Sequence, residues 1–515
     1  MNDLRQRHAP PSESPSESIP AAPATPSAAE RECLANLSPT GWRNPTPQRR
    51  YDLLVIGAGP AGLVAAREAV ALGARVALIE RHRLGGDCLN YGCIPSKSLL
   101  RTARLYAEMR HAENFGAVVP SPISFDWPAA MLRLQRIRTR ISRTDSAASL
   151  CNAGIALFFG NARFIGPDAV DVGGVRLRFR KALIATGAGP MLPDIPGLNE
   201  VGFLTSETVF DLEAMPQSLL VIGGGPLGCE LAQAFARLGT RTVIAHSEPL
   251  FLPQEERDAA QMVSDSLARD GVEIHLNSKA VKARADGGMK CVDLLSDGRT
   301  TTTTVEQILT GIGRAPAIHG LALEAAGVTY DTEAGVHVDD FLRTRNPRIY
   351  AAGDVCLEHR FTNTAAASAR IVVKNALRRG RARLSALTVP WCTYTDPEIA
   401  HVGLYVRQAR ALDIPVKTFT VPMHDVDRAI ADSEEAGFVK IHVREGTDRI
   451  LGATIVARNA GEMINSVSLA LASGIGLGGL AEVIHAYPTQ GAAIRQAADA
   501  YVRTRRRSRI AAWWG

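Results

Sequence analysis

Cys88 and Cys93 are the residues of this 515-residue chain best suited to chemistry. They stand in Gly85-Gly86-Asp87-Cys88-Leu89-Asn90-Tyr91-Gly92-Cys93-Ile94-Pro95-Ser96-Lys97, and four residues separate them. Such a pair can close a small disulfide across the start of a helix. It follows a glycine-rich turn by about thirty residues, roughly one βαβ unit. A dithiol beside a bound nucleotide cofactor can pass electron pairs between sulfur and that cofactor, so the chemistry indicated is redox. Cys33, Cys151, Cys229, Cys291, Cys356 and Cys392 are scattered and read as small apolar residues. Eight cysteines are too few for a disulfide scaffold, which points to a reducing compartment.

Two glycine-rich turns could hold such a cofactor. Gly57-Ala58-Gly59-Pro60-Ala61-Gly62 follows the apolar run Tyr51-Asp52-Leu53-Leu54-Val55-Ile56, and Gly223-Gly224-Gly225-Pro226-Leu227-Gly228 follows Ser218-Leu219-Leu220-Val221-Ile222. A lone GxGxxG is weak evidence, but each copy here lies between a strand and a helix. There Gly57, Gly59 and Gly62, and again Gly223, Gly225 and Gly228, permit a tight turn and close approach of a pyrophosphate to a helix N-terminus. After the first copy, the strand at 75–79 ends at Glu80, where a carboxylate can accept ribose hydroxyls of FAD or NAD. After the second copy the strand runs into Ala245-His246-Ser247, without an acid to repel a 2′-phosphate. His246 and Ser247 could donate to that phosphate, which favours NADPH over NADH; the neighbouring Glu248 could reverse the preference.

Ala182-Leu183-Ile184-Ala185-Thr186-Gly187-Ala188 reads as a strand and tight turn, and Ile349-Tyr350-Ala351-Ala352-Gly353-Asp354-Val355 repeats it with an acid. Asp354 is placed to accept hydrogen bonds from a ribityl chain or to lie near flavin phosphates; the alternative is an ordinary helix N-cap.

Two βαβ openings imply two dinucleotide-binding domains. From Pro390 onward, β-rich runs at 437–443 and 450–456 followed by helical stretches indicate a third, α+β domain. The fold class is therefore α/β, two Rossmann-like domains with an α+β C-terminal domain. Residues 1–49 are rich in Pro, Ser, Ala and Glu and are expected to form a disordered leader. Five arginines between Arg503 and Arg509 supply most of the +6 formal charge, so no general basic field points to nucleic acid. The N-terminus has no apolar signal core, and the apolar stretch at 466–480 is too short for a bilayer. A soluble, cytoplasmic protein is expected.

These motifs together resemble the class I flavin-dependent pyridine nucleotide–disulfide oxidoreductases, the group of glutathione reductase, dihydrolipoamide dehydrogenase and mercuric reductase. The resemblance covers about 51–504. It implies an FAD-binding domain at 50–190 and 315–387, an NAD(P)-binding domain at 191–314, a dimerisation domain at 388–505 and a basic tail at 506–515. It also implies a homodimer whose third domain completes the neighbouring site. Cys93 would be the thiolate beside the flavin and Cys88 the interchange thiol facing substrate. Lys97 would sit near the flavin N5 and pair with Glu230. Gly313-Arg314-Ala315-Pro316 matches the segment that ends the NAD(P) domain, although Ala317 replaces the usual Asn.

The C-terminal motif departs from the disulfide reductases, which carry His-Pro-Thr and then a Glu. Here the chain reads His485-Ala486-Tyr487-Pro488-Thr489-Gln490-Gly491-Ala492, with Tyr487 in the place of the His and Ala492 in that of the Glu. A tyrosine is a poor base at neutral pH. Mercuric reductases also have Tyr there, and 230–239 and 389–398 look like mercuric-reductase-like proteins. Yet the C-terminus lacks their vicinal cysteine pair and the leader holds only Cys33. The expected function is transfer of reducing equivalents from NAD(P)H through flavin and the Cys88–Cys93 disulfide to a thiol-reactive acceptor. Mercuric ion is the first choice, with Cys88 and Cys93 as transient ligands and no structural metal site. A dihydrolipoamide dehydrogenase or other disulfide reductase, with His485 substituting as base, is the alternative. A flavin redox sensor without turnover is the alternative of another class.

Overall fold

The computed structural model describes residues 26–120 and 122–514, with side chains through 505. The expectation of a structureless leader fails over 26–49. There α1 (Ala28–Leu37) begins at Ser27, whose Oγ accepts the Glu30 N–H at 3.1 Å, and it buries Cys33 and Leu37. Past it, Trp42 meets Phe159 edge-on at 5.5 Å between ring centroids. The Asn44 side chain exchanges two hydrogen bonds with the Phe159 backbone, at 2.9 and 2.8 Å. Composition hid this segment because a few scattered apolar and amide side chains anchor it among polar ones. The rest of the expected leader, 1–25, lies outside the described residues.

The first domain is built on parallel strands. β1 (Tyr51–Ile56) leads through a glycine turn into α2 (Pro60–Ala71), and β2 (Val76–Glu80) follows. The redox helix α3 (Cys93–Arg110) and α4 (Trp127–Ser142) come next, then β3 (Ala156–Phe159) and β4 (Val175–Ile184). The strands lie in the order β3-β2-β1-β4, all parallel, and Ile349–Ala351 joins the far side of β4. Apolar residues run almost unbroken along β1 and β2 because both faces of a parallel sheet are covered. Asn44 pairs with β3, the edge strand, and so satisfies backbone groups an edge leaves open.

The second domain repeats the opening with β5 (Ser218–Ile222), α5 (Pro226–Leu238) and β6 (Arg241–Ala245). Glu273–His275, β6, β5 and Gln307–Thr310 form a four-stranded parallel sheet. The chain then returns to the first domain, where α6 (Thr362–Arg378) packs with α2 in one core cluster. The third domain is a five-stranded antiparallel sheet in the order 390–393, 398–403, 450–457, 438–444, 416–422. Ala460–Ala472 and α7 (Ala492–Trp514) complete its core. The residues expected as a separate basic tail continue α7 as helix to Trp514, because nothing in their backbone interrupts it. Among the described residues no helix is long and apolar enough to cross a membrane.

The redox helix is held by all three domains. Leu99 and Ala103 of α3 share a buried cluster with Phe235 of α5 and with Phe438 and Val456 of the third domain. Close packing of that kind fixes the helix start, where the chemistry lies.

Candidate redox site

Cys88 sits in a single helical turn, Gly86–Asn90, and Cys93 is the first residue of α3. In the structure the two are unbridged thiols. Cys93 is held below the usual thiol range by a hydrogen bond from Cys88, by Thr362, whose Oγ1 lies 3.3 Å from its Sγ, and by the Lys97 charge. Together these outweigh its burial and the repulsion of Glu230. Cys88 is pushed up by the same hydrogen bond, by burial and by the charge of Cys93. The pair thus titrates as one thiolate at Cys93 and one thiol at Cys88.

One turn into α3, Lys97 Nζ lies 2.7 Å from Glu230 Oε2 on α5. Glu230 is buried, and its Oε1 accepts the Tyr394 N–H at 2.9 Å. Lys97 Nζ also lies 4.6 Å from the centre of the Tyr394 ring, within cation–π range. The first domain therefore supplies the cation, the second its anion, and the third the group that orients the anion.

Both glycine-rich turns, both cysteines, Lys97, Glu80, Thr186, Gly187 and Asp354 open on one cleft of about 3520 Å³. That is several times the volume that holds a drug-sized ligand, so two dinucleotides can lie in it. The residues fit a flavin nucleotide. Gly57 has φ +99°, and a Cβ at Gly62 would run into the Gly57 carbonyl oxygen, so the turn admits only glycine. Glu80 Oε2 accepts the Ala58 N–H at 2.7 Å and its Oε1 the His82 N–H at 2.8 Å, which holds the carboxylate at the cleft wall. Asp354 lines the opposite part; burial pushes its carboxyl up, against the pull of Arg314.

Arg314 does more than end the second domain. Its Nη1 lies 2.6 Å from Asp87 Oδ2, beside Cys88, and its Nε 3.8 Å from Asp354 Oδ2. Gly313 precedes it at φ +133°, and Thr186 Oγ1 donates to the Ala317 carbonyl at 2.7 Å. In the second turn His246 Nδ1 accepts the Gly224 N–H at 3.2 Å, and burial lowers the ring's pKa, so the imidazole is neutral. Ser247 lines the cleft next to it.

His485 and Tyr487 do not join this group: neither lines the cleft of its own chain. Tyr487 is 76% exposed and donates to Asp427 Oδ2 at 2.8 Å, which raises its phenol pKa further. Thr362, Tyr394, Asp87 and Glu398 are functional neighbours that sequence reasoning missed. Glu398 is pushed up to about 7 by burial, against the Gly461 N–H at 2.9 Å and the Arg104 charge. Asp87 lies in the 85–97 motif beside Cys88, and Tyr394 and Glu398 lie in the 389–398 segment; Thr362 meets the site through tertiary packing alone.

A parallel nucleotide-binding domain pair, a helix-borne dithiol and a Lys–Glu pair behind it define a flavin-linked thiol oxidoreductase. The chain belongs to the pyridine nucleotide-disulphide oxidoreductases, whose family model matches residues 51–370, and the family's dimerisation domain matches residues 389–498. The family uses FAD with a pyridine nucleotide. The chain is 34% identical to a mercuric reductase of Bacillus cereus over 450 residues, 87% of this chain and 71% of that one. It is 33% identical to a dihydrolipoyl dehydrogenase of Thermus scotoductus over 458 residues, 88% of this chain and 97% of that one. Among solved structures, LpdA of Mycobacterium tuberculosis superposes with a TM-score of 0.81 at 29% identity, over 87% of this chain and 99% of that one. The Cu(II) complex of the HOCl-induced flavoprotein disulfide reductase RclA from Escherichia coli gives 0.79 at 29% identity, over 88% and 99%.

Proposed function

We propose that this oxidoreductase reduces a soft metal ion, mercuric ion first, at Cys88 and Cys93, using NADPH in preference to NADH. The observation that carries this reading is the placement of Cys88 and Cys93 in the cleft that both nucleotide turns share, with Thr362 Oγ1 3.3 Å from the Cys93 sulfur and the Lys97–Glu230 pair one turn along the helix. FAD, when bound by the Gly57–Gly62 turn, Glu80 and Asp354, supplies the two-electron relay between nicotinamide and sulfur. The protein's own part is to set the charge of the dithiol. A hydride equivalent opens the Cys88–Cys93 disulfide into one thiolate and one thiol; Cys93 keeps the negative charge and Cys88 the proton. Two such sulfurs are a fitting clamp for a soft ion, Cys88 losing its proton on binding. Over a full turnover one hydride from NADPH becomes one proton and two electrons, and these convert Hg²⁺ to Hg⁰.

Tyr487 favours the metal over an organic disulfide. Reoxidation by a disulfide substrate needs a base, and a phenol hydrogen-bonded to Asp427 does not act as one near neutral pH. The dimerisation domain supports a homodimer, and Leu469, Ile484 and Tyr487 are exposed on it for a second copy to cover. The second reading, a disulfide reductase, is supported by the dihydrolipoyl dehydrogenase relative, 97% of whose length aligns.

NADPH consumption by the purified protein tests this, with mercuric ion buffered in excess small thiol and a matched lipoamide assay. Mercury-dependent turnover above the thiol blank is expected. Lipoamide turnover alone would hand the function to the second reading.

A further inference from the structure

Helix α1 lies outside the family-matched residues, which begin at 51, yet it reaches the redox site. Ser27, Glu30, Leu34 and Ser38, spaced as one face of a helix, line the same cleft as Glu80, Arg81 and His82. The helix also buries Cys33 and Leu37 in the cluster that contains Leu89, the residue after Cys88. Polar bonds tie the helix down along its length. Ser27 Oγ donates to Gln135 Oε1 at 2.7 Å, Thr139 Oγ1 to the Ala29 carbonyl at 2.8 Å, and Asn36 Nδ2 to Ser142 Oγ at 2.9 Å. The Leu84 N–H, just ahead of the redox loop, donates to the Leu37 carbonyl at 3.0 Å.

One chain of contacts runs from the helix into the loop between the cysteines. Glu30 Oε2 lies 3.2 Å from Arg138 Nη1, and Arg138 Nη2 donates to Asn90 Oδ1 at 3.4 Å. Asn90 in turn donates to the carbonyls of Leu84 at 3.0 Å and Gly86 at 2.8 Å, fixing the turn that carries Cys88. Arg138 is only 6% exposed, so its charge needs Glu30.

We propose that α1 is a strap on the flavin site, walling the nucleotide cleft on the Glu80 side and holding the redox loop through Glu30, Arg138 and Asn90. Glu30 is thus a positioning residue for the FAD-dependent reaction, and the inference rests on the FAD-binding part of the proposed function. The strap slows escape of a nucleotide that the Gly57–Gly62 turn alone would leave open to solvent.

The test is retention of FAD on prolonged dialysis, read by flavin absorbance and by the fluorescence of released flavin. Four proteins are compared: the full chain, a chain lacking residues 1–38, Glu30→Arg, and Glu30→Asp. The truncated chain and Glu30→Arg should bind FAD about tenfold more weakly, and Glu30→Asp, which keeps a charge for Arg138 and leaves the Arg138–Asn90 bond in place, should retain most of the affinity. Retention by Glu30→Asp separates the ion pair from any general weakening of the helix. If the truncated chain does not fold, Glu30→Arg and Glu30→Asp decide alone. Equal FAD retention by all four proteins, or a loss in Glu30→Asp as large as in Glu30→Arg, overturns the strap and leaves the proposed function intact. A full chain that takes up no FAD overturns both.

Discussion

Glu80 and His246 hold equivalent places in the two nucleotide-binding domains and accept equivalent hydrogen bonds by different means. The Glu80 carboxylate takes the N–H of Ala58, second residue of the first turn, at 2.7 Å. The neutral His246 ring takes the N–H of Gly224, second residue of the second turn, at 3.2 Å. Each side chain satisfies the turn, but only the first places a full negative charge where an adenosine ribose would lie. The second site has no carboxylate at that position, which supports the proposed preference for NADPH.

His246 stands where Glu80 stands, because Ala245 pairs with Ile222 as Ile79 pairs with Ile56, so His246→Glu restores the missing charge. The ratio of kcat/KM for NADPH to that for NADH should fall about tenfold. Steady-state kinetics with both nucleotides measures it, and an unchanged ratio would remove His246 and Ser247 from any part in cofactor choice.

Lys97 and Glu230 act on Cys93 with opposite signs, although they are bonded to each other. Lys97→Met should raise the pH at which the Cys93 thiolate forms, and Glu230→Gln should lower it, each by about one unit. Thr362→Val, which deletes one hydrogen bond to the sulfur, should also raise it. The long-wavelength absorbance between thiolate and flavin in a Cys88→Ser background, followed against pH, reads all three. A shift in the same direction for the Lys97 and Glu230 variants would be incompatible with this electrostatic account.

Much of this arrangement is legible in the sequence, for a physical reason. The Gly57 and Gly223 turns announce themselves because only glycine fits there, and the flanking parallel strands are apolar on both faces. The Lys97–Glu230 contact joins residues on two domains and was reachable only through the family resemblance. Thr362 comes to the sulfur by tertiary packing, which leaves no local pattern, and the 389–398 segment contains Tyr394 without showing that its N–H meets Glu230. The sequence suggests His246 as a donor to phosphate; in the structure its Nδ1 accepts from the turn, which leaves Nε2 to donate. Helix α1 did carry a signal. Ser27-Ala28-Ala29-Glu30 is a helix-capping spacing, masked by the Pro- and Ser-rich residues before it.

Glu398 makes stability depend on pH in a direction opposite to an ion-paired carboxylate. Its folded value of about 7 lies above the ordinary 4.5, because burial disfavours the charged form. Its contribution is fully present below 4.5 and is lost as pH rises through 7, a change of about 3 kcal/mol. Glu398→Gln keeps an acceptor for the Gly461 N–H but cannot ionise. Urea unfolding at about pH 5 and about pH 8 should show the parent losing about 2 kcal/mol more than the variant, part of the loss having occurred by pH 5. Parallel losses would mean that Glu398 is ionised throughout.

Tyr487 separates the two acceptor classes most directly. It stands where disulfide reductases of the family place their base, and its hydroxyl is committed to Asp427. Tyr487→His puts an imidazole with a pKa near neutrality within reach of the same carboxylate, which would orient it. Lipoamide turnover should then rise at least about tenfold, short of the roughly hundredfold that a fully positioned base contributes. Mercury-dependent NADPH consumption should not rise with it, because metal reduction at two sulfurs consumes no base at that position. Parallel assays on one preparation decide the matter: a gain with lipoamide alone means that the missing base sets the acceptor. No gain with lipoamide would shift that role from residue 487 to the shape of the cleft around Cys88.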